Sequence, residues 1–540
     1  METNKTNKYL DKTTKPATRT PDGEAYLSTQ VTNTRGQVYT FYENASPLIT
    51  AAAMARLSRS SSDLREILLD EFALTGDEDA DSLIQRVVSE YGDDSVQQLA
   101  GQSVVVEGAS NLLTKKLEWG RFAAYLEQST RYIFFDTLDS EGKYKYFVPE
   151  HFDDETQLKY TQTLDKIFVN YSNMVRGIAQ FVRSKSEEPD TPAGRTAWMQ
   201  ATRAQACDAV RTVLPVATKS TVGIFGSTQA IEGLVIRLMS ERLVEAREIG
   251  SLILQEVRKV MPAFYRRIDV PDRGIMSAAY LALKQGEIEK LASELTNAED
   301  IPFENVELLD YWPENELEIV ADMLFSESQL STNGIKKAIE KLSPDKHLEI
   351  FNAYMGNRFN RRHRPGRALE FLHYKFEITA DYGTFRDLQR HRVVDGFEWQ
   401  RLTTNYGYDI PKLVEEAGMV DSFMECFELS KELVGYLQTK GLNEESQYAT
   451  LLGHKMRYRF MINAREAFHL IELRTQPQGH PGYRKISQNM FNLIAEKHPN
   501  IAEAMKFVNM DEGPALTRLA SEEETQKKLE RLNQTRVGNV

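Results

Sequence analysis

At 540 residues the chain is long enough for roughly two to four domains and a large buried core. With 41% hydrophobic and 27% charged residues it reads as an ordinary soluble globular protein, and a net charge of −13 excludes a broadly cationic, nucleic-acid-binding surface, so any anion site must be local. It has no run of 18 apolar residues, its polar first twenty-odd residues hold no apolar core, and Cys207 and Cys426 lie far apart in no metal-ligand spacing; a reduced, cytoplasmic setting is expected, without membrane span, secretory signal, or zinc or iron–sulfur site.

Residues 1–25 read as a disordered tail. A helix is expected over 46–60, with Ser46 as N-cap and Pro47 in the first turn, and helical structure continues through 63–91. "SVVVEGAS" (103–110) is short and β-branched and reads as a strand. Residues 191–215 and 227–264 carry apolar residues at helical spacing and read as long helices. A softer stretch at about 270–305 marks a domain boundary. Beyond it come more helices, a strand candidate in "HYKFEITADYG" (373–383), helices in "MINAREAFHLIELR" (461–474) and near 484–497, and a charged, solvated tail after 520. Both halves run in the same order: helices, a strand, a basic or aromatic turn, then two long helices. That parallel at a period near 250 residues points to a duplicated domain.

Arginine dominates the second half. Arg358, Arg361, Arg362, Arg364 and Arg367 form one cluster, Arg390-His391-Arg392 a second, and Arg457, Arg459, Arg465 and Arg474 a third. The guanidinium fork suits phosphate and carboxylate, and separate clusters in one acidic half can converge on a polyanion such as a nucleotide or dinucleotide. A solvated face or surface ion pairs are the alternative. His391, between two arginines, is expected to be neutral. In the first half, Glu127, Gln128, Ser129, Thr130, Arg131 and Tyr132 form either a polar loop able to bind phosphate or a helix end whose hydroxyls bond locally. No dinucleotide-binding glycine motif, phosphate loop, nucleophile elbow or HExxH is present.

Together these segments resemble the flavin-dependent thymidylate synthases. Arg390, His391 and Arg392 match that family's RHR, but Gln400 stands at its serine. In the first half Ser129, Arg131 and Tyr132 match the Ser-x-Arg-Tyr, with Trp119, Gly120 and Arg121 at the RHR. Arg457, Asn463, Arg465, His469 and Arg474 match a second family segment, whose counterpart in the first half has Thr221 and Ser240 near the arginine positions. Glu370 and Ser95 are what survive of an upstream segment, and Asp387 replaces a family glutamine.

The resemblance implies an α/β (α+β) fold of two tandem domains, 26–270 and 306–540 with a linker at 271–305, each a mixed sheet flanked by long helices. It implies FAD as cofactor, NADPH and methylenetetrahydrofolate as co-substrates, and methylation of dUMP to dTMP. It also implies a homodimer acting as a pseudo-tetramer. Because the losses in the halves are complementary, a composite site is expected: Glu127, Ser129, Arg131, Arg457 and Arg474 on the nucleotide, with Arg474 and His391 catalytic, and Arg390, His391, Arg392, Glu370, Asn463 and His469 towards the flavin, with no metal. A non-catalytic flavin- or nucleotide-binding homologue is the other reading.

Overall fold

A computed structural model of the chain describes residues 7–13, 17–57, 60–74, 77–84, 94–131, 133–295 and 305–511. Tyr132, residues 85–91 of the expected helix, most of the boundary after 296 and the charged tail after 520 lie outside them. Contacts divide the chain into two units: residues 1–109, 116–128 and 220–298, and residues 110–115, 129–219 and 299–540. These units cut across the two halves of the sequence, since the Ser129–Arg131 segment belongs to the second.

In the first unit, part of the expected tail is ordered. Strands β1 (Leu10–Asp11) and β2 (Thr18–Arg19) pair antiparallel. Thr20 then caps helix Pro21–Gln30, its hydroxyl accepting from Gly23 N. Buried Leu10, Leu27 and Val31 supply the apolar contact that a polar composition hid. Helix Pro47–Leu57 starts at Ser46, whose hydroxyl accepts from Ile49 N. The sheet orders its strands β3 (Gly101–Ser110), β5 (Lys219–Ser227), β4 (Ala123–Glu127), and β4 and β5 are antiparallel.

The helix expected over 227–264 is broken. Helix Thr228–Ser240 ends at Glu241, which is extended, and helix Val244–Val260 folds back against it. Gly250 permits the close approach: a Cβ there would lie 2.9 Å from Leu238 Cβ. Folding back buries Ile231, Leu234, Val235 and Leu238 with Ile253, Leu254 and Val257, which one straight helix could not do. The stretch expected as a linker carries a further helix, Met276–Ser293, none of whose residues is buried.

In the second unit four strands run in the order β6 (Val306–Trp312), β7 (His373–Asp381), β9 (Lys455–Asn463), β8 (Asp395–Trp399), every pair antiparallel. Alternation along β7 and β9 puts Tyr374, Phe376 and Ile378 against Tyr458, Phe460 and Ile462 in the core. Helix Asp154–Ser184, capped by Asp153, buries Tyr160, Leu164, Ile167, Phe168, Tyr171 and Val175 at helical spacing and packs on helix Val420–Thr439.

The duplication is visible element by element. Strand orders β3-β5-β4 and β7-β9-β8 correspond. β3 and β7 each run into a seven-residue helix, Asn111–Leu117 and Tyr382–Leu388. β5 and β9, nine residues each, end on the N-cap of the next helix, Ser227 and Asn463. Each of those helices is followed by one of 17 residues, Val244–Val260 and Pro481–Lys497. Inside the second unit, Pro215 and Leu451 bridge antiparallel at a local two-fold: Val216 N donates to Thr450 O (2.8 Å) and Leu452 N to Leu214 O (2.9 Å).

Candidate active site

Two short turns in the second unit carry the RHR and the arginine helix. Asp381 caps Tyr382–Leu388, accepting from Thr384 N and Oγ1. The buried end of that helix delivers Asp387, Gln389 and His391, while Arg390 and Arg392 on either side of His391 are exposed. Asn463 caps Ala464–Arg474 by accepting from Glu466 N at 2.9 Å. Replacing this cap, Asn463→Ala, is expected to cost about 1 kcal/mol of stability, read as a lower urea midpoint.

His391 links the two. Arg474 Nε donates to His391 Nε2 (3.0 Å), so the ring proton sits on Nδ1, which donates to Glu466 Oε1 (3.1 Å). Burial pushes His391 down to about 4, with Arg474 adding to the effect and Glu466 opposing it, so the imidazole is neutral, as expected, though burial is the main cause. Glu466 Oε1 also accepts from His469 Nδ1 (2.9 Å); burial opposes its ionisation, but the two histidines hold its carboxyl at about 2. His391, Glu466 and His469 place three possible ligand atoms within 4.8 Å of one another. A metal at His391 Nδ1 would need the other tautomer, whose Nε2–H would face the Arg474 Nε–H. The trio therefore serves better as a hydrogen-bonded bracket behind Arg474 than as a metal centre.

Three other segments converge on the same place. Ser129 Oγ accepts from Arg131 N (3.2 Å), the local turn that was the alternative reading of this loop. Arg131 forms a two-bond fork with Asp208, at 2.7 and 2.9 Å, from helix Pro192–Val210, and its Nη1 reaches Tyr483 Oη at 3.3 Å. Both Arg131 and Arg474 lie over the Tyr483 ring, 5.9 and 5.1 Å from its centre. Arg211, in the turn after that helix, is 3% exposed, and its Nη2 stands 3.5 Å from Asp387 Oδ2. Its Nε and Nη2, and Asp387 Oδ2, are buried with no hydrogen-bond partner. Arg474 also donates to the Asp387 carbonyl. Burial alone would raise the Asp387 carboxyl, yet Arg211, Arg474, Arg390 and Arg131 around it hold it well below the usual carboxylate range. His480, capping helix Pro481–Lys497, is pushed down to about 3 by burial and Arg211, and is neutral.

Three largely buried arginines, Arg131, Arg211 and Arg474, and the exposed Arg390 thus surround two aspartates. A buried guanidinium edge without an acceptor is costly unless an anion completes it.

A family model described as thymidylate synthase complementing protein matches residues 41–263 and 307–500. The chain belongs to this family. Two separate matches make it a tandem of two diverged copies. A UPF0159 protein of Chlamydia pneumoniae is 32% identical over 505 residues, spanning 89% of this chain and 94% of that one. Another, from Thermoplasma acidophilum, is 27% identical across 87% of this chain and 97% of its own. A flavin-dependent thymidylate synthase of Mycobacterium bovis is 26% identical over 188 residues, 34% of this chain and 68% of that protein. Among solved structures, a UMP/dUMP methylase PolB from Streptomyces cacaoi aligns with a TM-score of 0.32 and 19% identity over 38% of this chain and 94% of its own.

The expected site residues fall into two groups. Arg131, Ser129, His391, His469 and Arg474 are in the cluster or its bracket, and Arg390 acts on it electrostatically. Elsewhere, Arg457 lies on β9 with its guanidinium 4.6 Å over Tyr406, and Glu370 is held by Arg367 and Arg465, which keep its carboxyl low. Asn463 is a helix cap. Glu127 ends β4, buried in the first unit. Arg358 pairs with Glu472 in the core at 2.5 Å, a structural ion pair. Sequence reasoning passed over Asp208, Arg211, Glu466, His480 and Tyr483. Asp208 and Arg211 stand three apart where an apolar helix ends, and that spacing was the available signal.

At the turn after β8, which corresponds to the Ser129–Arg131 turn after β4, the second copy pairs Arg401 with Glu444, and Gln447 stands in the place of Arg211. Gln447 Oε1 accepts from Leu402 N (3.2 Å), closing the position with a neutral amide.

Proposed function

We propose that the chain is a flavin-dependent thymidylate synthase that methylates dUMP to dTMP, with one working anion site per chain built from both halves of the sequence. The observation that carries this reading is Arg211, a buried guanidinium whose Nε and Nη2 make no hydrogen bond, standing with Arg131 and Arg474 around Asp387. Ser129, Arg131 and Arg211 would hold the phosphate by charge-assisted bonds. Arg474 would face the pyrimidine edge, oriented by His391 and the Glu466–His469 bracket, and would stabilise negative charge developing on the ring oxygens. Arg390 and Arg392, two exposed forks flanking His391, suit the diphosphate of FAD. When bound, that cofactor supplies the hydride chemistry, with NADPH as its reductant and methylenetetrahydrofolate as one-carbon donor. The protein's own part is to bind, orient and exclude water.

The same reading takes the chain as two domains, 26–270 and 306–540, working as a homodimer in pseudo-tetramer form. Among the described residues no helix is long and apolar enough to cross a membrane, and both cysteines are buried; the proposal places the chain in a reducing cytoplasm. One observation favours the rival reading, a non-catalytic homologue: the Asp387 carboxylate already occupies the centre of the arginine cluster. Expression in a thymidine-requiring bacterium lacking its own thymidylate synthase separates the two. Growth without thymidine, lost in His391→Ala and in Arg131→Ala, is expected. Yellow, dUMP-binding protein that never rescues growth would leave the binding homologue standing, and colourless protein that ignores FAD would end both.

A further inference from the structure

Helix Met276–Ser293 is unlike the rest of the first unit. One side packs on helix Thr228–Ser240, and Glu289 pairs with Arg242. The other side is apolar and bare: Met276, Tyr280, Leu283, Ile288 and Leu291, continuing to Leu295, are each between 56 and 71% exposed. At helical pitch these six fall within an arc of about 140°. So continuous an exposed stripe on a soluble chain marks a contact surface.

Three charges lie inside that arc: Lys284 and Glu287 at its middle, with Lys284 Nζ 5.5 Å from the Tyr280 ring, and Glu294 near its end. The middle pair identifies the occupant. A parallel second copy would set Lys284 against Lys284 and Glu287 against Glu287, which is unfavourable. An antiparallel copy sets Lys284 of each chain beside Glu287 of the other, and Tyr280 opposite Leu291, all twice about one two-fold axis. The stripe is complementary to itself in that orientation alone. The helix also has no excess of positive charge, with Lys284 and Lys290 balanced by Glu287 and Glu289, so an anionic membrane surface is a poorer fit.

We propose that Met276–Ser293 is the surface through which two copies of this chain associate, antiparallel, helix to helix. The test uses the full chain and sedimentation velocity. Leu283→Glu with Leu291→Glu should remove one association step and leave the far-UV circular dichroism unchanged, since both side chains are exposed. Lys284→Glu alone and Glu287→Lys alone should each weaken association at least tenfold, and the double reversal should restore it. Glu287→Cys, close to the two-fold axis, should form a disulfide-linked dimer on mild oxidation, because Cys207 and Cys426 are buried. The proposal is overturned if the double glutamate variant sediments like the wild type, or if Glu287→Cys stays a single chain on a non-reducing gel. It is equally overturned if association appears only after removal of residues 512–540, which would make that segment the occupant.

Discussion

Glutamine in place of Arg211 should cost at least a hundredfold in dUMP affinity, roughly 2.7 kcal/mol, while leaving the affinity for deoxyuridine unchanged. Arg211 Nε and Nη2 are buried without a hydrogen bond, and on the proposed reading the phosphate supplies it. Removing Arg211 also deletes the nearest compensation for Asp387, at 3.5 Å. Losing one partner of a buried ion pair ordinarily costs about 3–5 kcal/mol, so the fold itself is at risk. Two features keep the result readable. The equivalent place in the second copy holds Gln447, so this fold accommodates the amide there. Arg211→Lys retains the charge but not the fork, and should keep the melting temperature near wild type while weakening dUMP about tenfold. Calorimetric titration with dUMP and deoxyuridine distinguishes the outcomes. If nucleotide and nucleoside weaken together, Arg211 acts on the architecture and not on a phosphate, and the proposed orientation of the substrate is wrong.

The elements legible in the sequence were those whose signals are local. Alternation in "HYKFEITADYG" and the β-branched run at 103–110 became β7 and β3, and Ser46-Pro47 announced a helix start correctly. Tertiary effects hid the rest. Nothing local in Ser240-Glu241-Arg242 breaks a helix; the break is set by the apolar faces on both sides, which bury each other only if the chain turns back. Likewise Leu10 and Leu27 order a segment that its composition assigns to a tail. The candidate site divides the same way. The RHR was visible as a motif, but Arg131, Arg211 and Tyr483 are remote in sequence and come together only in the folded second unit. Arg457, promising by its place in a motif, instead lies half-buried over Tyr406, because alternation along β9 turns it to the face opposite Met456 and Tyr458. Motifs told which residues mattered to the family; burial and partnering told which of them this chain brings together.

Stability should fall steeply on acidification, by about 6 kcal/mol between pH 8 and pH 5, through the buried histidines. His391 and His454 are pushed down to about 4 and His480 to about 3, in each case mainly by burial, from the ordinary 6.5. For each, the unfolded chain binds a proton that the folded chain refuses. Their contribution is therefore fully present above pH 6.5 and is lost as the pH falls towards 4. Asp387 and Glu466, held low in the fold, add to the loss at still lower pH, where the unfolded carboxyls begin to protonate. Asp381 works the other way: burial raises it, so its contribution fades as the pH rises past the ordinary carboxylate value. The sum rivals the whole stability of a typical domain, so cooperative acid unfolding near pH 5 is expected. His454 isolates one share of the effect. Its Nδ1 accepts from Leu451 N at 2.9 Å, a bond an asparagine carbonyl can replace, and it lies outside the arginine cluster. Urea titrations of His454→Asn from pH 8 to 5 should show about a third less pH dependence than the wild type. A wild-type urea midpoint that stays level from pH 7 to 5 would mean that these imidazoles are solvated and charged, and with that the neutral His391 that orients Arg474 would be lost.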